Sequence, residues 1–423
     1  MRAKVTNVPG PKSKRMLEKM QKLNGGWALP LPMVFESGQG SYFKDVDGNV
    51  FLDFASQVAS SPLGYNHPAL NAVLKKYNRA PVKLAGQDFT LPEHIELIEE
   101  LVKISPPEMN AAFLTNSGAE AVENAIKSAL RKCRGYYGAS FEYAFHGRTL
   151  GALSCTNSKI VHKAGYWTFP IQRLPFDERA PELLEEMIKR EGGAENLSFV
   201  IMETVQGEGG YNIAPDSMMK GIRKVTREHN ICLICDEVQS GLGRTGKWWA
   251  FEHYGIKPDV FSSAKALQVG ATIANRSFFP PEPASISSTW GGGSMIDLAL
   301  GIATIKAIKK EQLLSNCRRM GDYLLKQLHE LAAKHPEVTG PRGLGLMCAF
   351  DLPDKKARDH VAEHLIKNGL IALGAGRKSI RLIPPYTVSE KEIDEAIQII
   401  DRSLVEVHKE RKPRGLSPME HAV

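Results

Sequence analysis

Ile231-Cys232-Leu233-Ile234-Cys235-Asp236, followed by Asp259-Val260-Phe261-Ser262-Ser263-Ala264-Lys265, decides how this chain is read. Each stretch is an apolar run of strand length, and each closes on a charged residue. A charge closing a buried strand is costly unless something pairs with it. Asp236 and Lys265, twenty-nine positions apart, are therefore expected each to meet a partner at a strand end, whether each other or a shared ligand. In an open α/β sheet the carboxyl ends of the strands are also where ligands bind.

Working outward, short apolar runs alternate with helical patterns to about residue 285, the signature of a mostly parallel sheet with helices on both faces. The strands are expected at Ala111–Leu114, Ser140–Phe145, Leu197–Glu203, Ile231–Cys235 and Asp259–Ser263. Upstream, Ser41 to Asp53 reads as a hairpin turning at Asp47-Gly48. Downstream, Ser294–Lys310 reads as a long helix with Ile296, Leu300, Ala303 and Ala307 on one stripe. Beyond it come a strand at Leu346–Phe350, a helix at Lys355–Asn368, two short strands and a last helix opened by the capping box Ser389 to Glu392. The domains expected from this pattern are residues 1–52, contributing to a small domain, 53–293 as the large domain, and 294–423 as linking helix and small domain.

Composition narrows the function classes. With 423 residues, 43% hydrophobic and 24% charged, the chain can bury a sizeable core. Its net charge of +7 is dispersed, and the basic clusters Lys12-Ser13-Lys14-Arg15 and Arg411-Lys412-Pro413-Arg414 read as solvated tails, so no nucleic-acid partner is expected. No apolar run reaches membrane-spanning length and no signal-peptide core stands at the N-terminus, so a cytoplasmic enzyme is expected. Six scattered cysteines give no disulfide framework. Cys232 and Cys235, three apart on a strand, point to opposite faces and read as buried small hydrophobes, and no metal site is expected.

The chemistry gathers at the turns after the strands. Thr115-Asn116-Ser117-Gly118-Ala119-Glu120 opens a helix, and small residues at a helix N-terminus offer free N–H groups to a phosphate, although a plain helix cap also explains them. In Phe145-His146-Gly147-Arg148 an aromatic face can cover a cofactor ring and the guanidinium can hold a carboxylate, whereas a core histidine and a surface arginine are the plainer alternative. Glu203, Gln206 and Glu208 fall at a third turn, Thr289 in a glycine-rich loop, and Arg381 just before Pro384-Pro385. For Asp236 and Lys265 two readings stand: a structural ion pair, or the carboxylate and amine that pyridoxal phosphate needs at its ring nitrogen and its aldehyde.

In their order, Asn-Ser-Gly-Ala-Glu-Ala from residue 116, Phe-His-Gly-Arg from 145, Gln-Gly-Glu-Gly-Gly from 206, Asp-Glu-Val-Gln from 236, Lys265 and Ser-Thr-Trp-Gly-Gly from 288 resemble the class III pyridoxal-phosphate aminotransferases, over nearly the whole chain. The resemblance implies the type I fold of pyridoxal-phosphate transferases, an α/β architecture with a mostly parallel seven-stranded sheet plus a smaller α/β domain. It implies that Lys265 binds the aldehyde and moves the catalytic proton, that Asp236 pairs with the pyridinium nitrogen, and that Gln239 bonds the phenolic oxygen. Ser117, Gly118 and Ala119 are to cradle the phosphate, Phe145 to stack on the ring, and Thr289 to reach the phosphate of the neighbouring subunit. Arg148 and Arg381 are to bind substrate carboxylates, with Glu208 covering Arg381 when the donor brings none. A homodimer or dimer of dimers follows from the role of Thr289.

Within the class the chain is most similar to the lysine 6-aminotransferases and 4-aminobutyrate aminotransferases, which take the terminal amine of an ω-amino acid and pass it to 2-oxoglutarate. Ser56 to Tyr65, Gln268-Val269-Gly270 and Ser288-Thr289-Trp290-Gly291-Gly292 resemble the lysine enzymes; Asp45 to Asn49 and Glu311 to Asn316 resemble the 4-aminobutyrate enzymes. Lysine is the expected donor, with 4-aminobutyrate, ornithine or another diamine as alternatives. Ala264 and Ala266-Leu267 around the lysine depart from the usual pattern, which bears on the donor more than on the reaction. A pyridoxal-phosphate epimerase and a binding protein without activity are the competing classes.

Overall fold

Asp236 ends the strand Cys232–Asp236, and that strand lies at the middle of a seven-stranded sheet. The structure is a computed structural model, and its described residues are 1–25, 31–78, 89–286, 288 and 292–411. Across the sheet the strands run Ala111–Thr115, Gly270–Ala274, Val260–Ser263, Cys232–Asp236, Leu197–Glu203, Tyr137–Phe141 and Ile171–Leu174. Gly270–Ala274 is antiparallel to both of its neighbours, and the other pairings are parallel. The sheet is thus mostly parallel, as expected. Buried on both faces, its central strands are continuous apolar runs rather than alternating ones. Leu233 and Cys235 pack into one core cluster, Cys232 and Ile234 into another, so the two cysteines do face opposite ways. All six cysteines are free, and burial pushes the Cys232 and Cys235 thiols far up, which leaves them inert.

Two sequence readings shift. The strand expected at Ser140–Phe145 is Tyr137–Phe141. Its Gly138 looked unlike a strand residue, but a Cβ there would stand 2.3 Å from the Phe199 ring, so close strand packing requires glycine. The helix expected from Ser294 is Met295–Lys310 with Ser294 as its cap. Its core face is Leu298, Ile302, Ile305 and Ile308, however, while Ile296, Leu300 and Ala303 of the expected stripe are only half-buried against Val73 and Tyr77.

The strand Val50–Asp53 of the expected hairpin pairs in parallel with Leu370–Ile371, tying the N-terminal segment to the C-terminal one. Lys12 to Arg15, expected as a tail, instead open the helix Pro11–Leu23. The Lys12 and Ser13 N–H groups each donate to Asp47 at 2.8 Å, so the hairpin turn supplies a carboxylate to that helix N-terminus. Arg411 ends the last helix, and Lys412 to Arg414 lie outside the described residues. A second, antiparallel sheet joins Thr339–Leu344, Met347–Asp351, Ser379–Leu382 and Leu373–Ala375, with the helices Lys355–Lys367 and Glu390–Arg411 packed together beside it. Among the described residues no helix is long and apolar enough to cross a membrane.

Candidate active site

The carboxyl ends of the parallel strands frame a cavity of about 650 Å³. Ser117, Gly118, Ala119, Phe145, Arg148, Glu208, Asp236, Gln239, Lys265 and Arg381 all line it. Ten of the eleven site residues expected from sequence therefore meet in one place. The eleventh, Thr289, lies outside the described residues.

Strand register puts the acids together. Asp236 aligns with Glu203 on one neighbouring strand and with Ser262 on the other. Its Oδ1 accepts from the Val238 N–H at 3.0 Å and the Ser262 hydroxyl at 3.1 Å, and its Oδ2 faces His146 Nδ1 at 2.8 Å. His146, allowed for as a satisfied core histidine, is satisfied by the site carboxylate itself. Glu203 accepts from the Phe145 N–H at 2.9 Å and the Gly207 N–H at 2.8 Å, fixing both loops that follow the strands. Burial pushes its carboxyl up to about 7, with neighbouring Asp236 adding to the rise and His146 opposing it.

Lys265 stands at φ +47° just past the strand Val260–Ser263. Burial first, and the Arg381 charge second, lower its amine to about 8, against the pull of Glu208, Asp236 and Glu203. A buried lysine amine so tuned is a competent nucleophile and proton carrier near neutral pH. Arg381, on the strand Ser379–Leu382 and 4% exposed, donates from Nη2 to Glu208 Oε1 at 2.7 Å. Lys159 donates to the other Glu208 oxygen at 3.2 Å, a contact not foreseen from sequence. Burial raises the Glu208 carboxyl, but the Arg381 and Lys159 charges outweigh it and hold it at about 2. Arg148 is exposed at the rim, its guanidinium 5.8 Å from the Phe145 ring centre.

The residues fit pyridoxal phosphate. Gly118 and Ala119 begin the helix Gly118–Cys133, so their N–H groups have no intrahelical acceptor and face the cavity with the positive end of the dipole. Ser117 caps this helix by accepting from the Glu120 N–H at 3.2 Å. A Cβ at Gly118 would stand 2.7 Å from Val238, so the cradle stays open only with glycine. Gln239 Oε1 and His146 Nε2 are buried without hydrogen-bond partners. Gln239 Oε1 can thus accept from a phenolic hydroxyl, or its amide can turn to donate from Nε2 to a phenolate, and the Asp236 carboxylate fits a protonated ring nitrogen.

The cavity wall also holds a backbone conformation the sequence does not announce. Ser56, Gln57, Val58 and Ala59 have φ of 43°, 51°, 59° and 69°, a left-handed turn of four non-glycine residues, and Gln57 and Val58 face the cavity. Asp53 Oδ1 anchors its start by accepting from the Ala55 and Ser56 N–H groups at 2.8 and 2.9 Å.

Residues 25–404 match the family model described as aminotransferase class-III. The chain is 33% identical to the mitochondrial 4-aminobutyrate aminotransferase of Mus musculus, over 90% of this chain and 86% of that protein. It is 36% identical to the acetylornithine aminotransferase of Archaeoglobus fulgidus, over 87% of this chain and 94% of that one. Among solved structures, a lysine aminotransferase from M. tuberculosis superposes with a TM-score of 0.86 at 30% identity, over 93% of this chain and 99% of that one.

Proposed function

The chain belongs to the class III aminotransferases, which depend on pyridoxal phosphate, and from that premise we propose that it moves the terminal amino group of an ω-amino acid, lysine first, to 2-oxoglutarate, giving a semialdehyde and glutamate. The observation that carries this reading is the buried Arg381–Glu208 pair facing Lys265 across a cavity that also holds Arg148. A donor whose reacting end lacks a carboxylate meets an arginine already neutralised. A dicarboxylate acceptor displaces Glu208, binds Arg381 with one end and Arg148 with the other, and leaves Glu208 paired with Lys159.

When bound, the cofactor supplies the aldehyde that accepts the amine and a ring that withdraws electrons from the reacting carbon. In this reading Lys265 Nζ takes the proton from that carbon and returns it on the cofactor side. Asp236 keeps the ring nitrogen protonated, and His146 holds the Asp236 carboxylate in place. Phe145, on the cavity wall, would cover one face of the ring and keep water from it. A homodimer belongs to the proposal: Thr289 is assigned to the neighbouring subunit's phosphate, and Ile160, Val161 and Trp167, 90%, 74% and 69% exposed, are large apolar side chains that a second copy can cover.

Lysine is favoured because two of the three segments resembling lysine 6-aminotransferases supply cavity wall, through Gln57, Val58, Ser60, Gln268 and Val269; of the third, residues 289–291 lie outside the described residues. The segments resembling 4-aminobutyrate enzymes lie elsewhere: Asp47 caps the N-terminal helix, and Glu311 pairs with His67. The likeness to the 4-aminobutyrate aminotransferase of Mus musculus supports that substrate as the second reading.

A panel of amino donors with 2-oxoglutarate, scored by glutamate formed, tests the proposal. Lysine should give a cyclic imine trapped by 2-aminobenzaldehyde. A specificity constant about tenfold higher for 4-aminobutyrate, about 1.4 kcal/mol in transition-state binding, would overturn the choice of donor. Inversion of an amino acid with no acceptor present would make the protein an epimerase instead.

The switch has its own test. In Glu208→Gln the uncovered Arg381 charge faces a donor that cannot pair with it, a loss on the order of 3 kcal/mol. The ω-amine half-reaction should slow by about a hundredfold, while the glutamate half-reaction changes by less than about tenfold. Single-turnover spectra of the two halves read this directly, and equal losses would show that no switch operates.

A further inference from the structure

Away from the cavity, the helix Lys355–Lys367 carries His360 and His364 one turn apart, side by side on one face. The last helix lays Glu410 against both: Oε2 is 2.9 Å from His360 Nε2 and 3.3 Å from His364 Nε2. One donor atom from each of the three residues lies within 4.8 Å of the other two. No sequence motif announced this, because Glu410 is forty-six positions from His364.

The His364 ring is 7% exposed, and its two nitrogens are not equivalent. Nδ1 lies 3.2 Å from Glu406 Oε2, which takes the single N–H of a neutral imidazole. Nε2 is buried without a hydrogen-bond partner and turns its lone pair toward the Glu410 carboxylate. A lone pair and an anionic oxygen 3.3 Å apart repel each other unless a positive charge stands between them. Metal-bound histidines show the same division: one nitrogen donates to a carboxylate, which fixes the tautomer and aims the other at the ion. Tetrahedral zinc with N and O ligands at about 2.0–2.2 Å separates its ligand atoms by about 3.3–3.6 Å; the His364–Glu410 spacing of 3.3 Å meets this, and the 2.9 Å hydrogen bond between His360 Nε2 and Glu410 Oε2 has to widen by about half an ångström to admit the ion.

We propose that His360, His364 and Glu410 bind one divalent cation of the zinc class, with Glu406 orienting His364 and water completing the coordination. The ion pins the end of the last helix to the helix Lys355–Lys367. None of its ligands lines the active-site cavity, so its role is to hold structure.

The test uses cofactor-loaded enzyme stripped of metal and titrated with Zn²⁺ against a chromophoric chelator. One ion per chain should bind at micromolar or tighter affinity. His360→Ala and Glu410→Gln, at side chains 32% and 54% exposed and so harmless to folding, should each weaken binding at least tenfold with transamination unchanged. Substitution by Co²⁺ should give the intense visible bands of a tetrahedral site, lost in the same variants. Zn²⁺ should also slow amide exchange at the end of the last helix. Absence of uptake at neutral pH would mean that a protonated His364 satisfies Glu410, and undiminished uptake by the His360→Ala, Glu410→Gln double variant would place the ion elsewhere; either result overturns the proposal.

Discussion

Lys265→Ala should abolish turnover, with kcat/KM falling by at least about ten-thousandfold, because one side chain serves as both covalent anchor and proton carrier. Borohydride reduction of the native enzyme should fix the cofactor to the peptide containing residue 265; recovery on another lysine would sink the assignment. Acidity gives a second reading of the same residue. The free amine is the nucleophile, and with a pKa of about 8 roughly a tenth of it is free at pH 7. Cofactor capture by the apo-protein should therefore quicken about tenfold from pH 6 to pH 7 and level off above about pH 8. A rate still climbing at pH 10 would mean an amine in water, without the burial and the Arg381 charge that lower it here.

Asp236→Asn should leave the cofactor bound but nearly inert. The substitution preserves shape and removes only charge, so the turn Ser117 to Ala119, proposed to hold the phosphate, is untouched. What goes is the anion that meets His146 on one side and, in the proposed function, would meet a protonated ring nitrogen on the other. Breaking a buried charged pair costs about 3–5 kcal/mol, so turnover should fall by about 10² to 10⁴ at unchanged cofactor occupancy. Activity within about tenfold of the native enzyme would show that Asp236 is a structural partner of His146 and no more.

Asp236 and Lys265 were legible because each ends an apolar run that burial would otherwise forbid to carry charge. The glycine turns were legible for a related reason: phosphate cradles need bare N–H groups, and few residue types provide them. Contacts formed by folding were not. His146 meets Asp236 across ninety positions, and Lys159 meets Glu208 across forty-nine. Neither histidine nor lysine carries a local mark of its partner. Ile171–Leu174 escaped notice as a short edge strand of mixed polarity, and Gly270–Ala274 because glycine, alanine and threonine give no apolar run. Gly270 itself has to be small: a Cβ there would stand 2.3 Å from the Ser117 carbonyl oxygen, so the antiparallel strand props the phosphate turn.

The left-handed turn from Ser56 to Ala59 implies a bargain between robustness and selectivity. Left-handed geometry costs roughly 1–2 kcal/mol for each residue bearing a Cβ, so one short stretch of pocket wall consumes an appreciable part of the 5–15 kcal/mol by which a folded domain typically persists. Glycine at Gln57 or Val58 would relieve that tension and toughen the fold, while removing side chains that line the cavity. Screening this enzyme for heat resistance alone would therefore favour a broader appetite for amines, and donor discrimination would fade before the chemistry did.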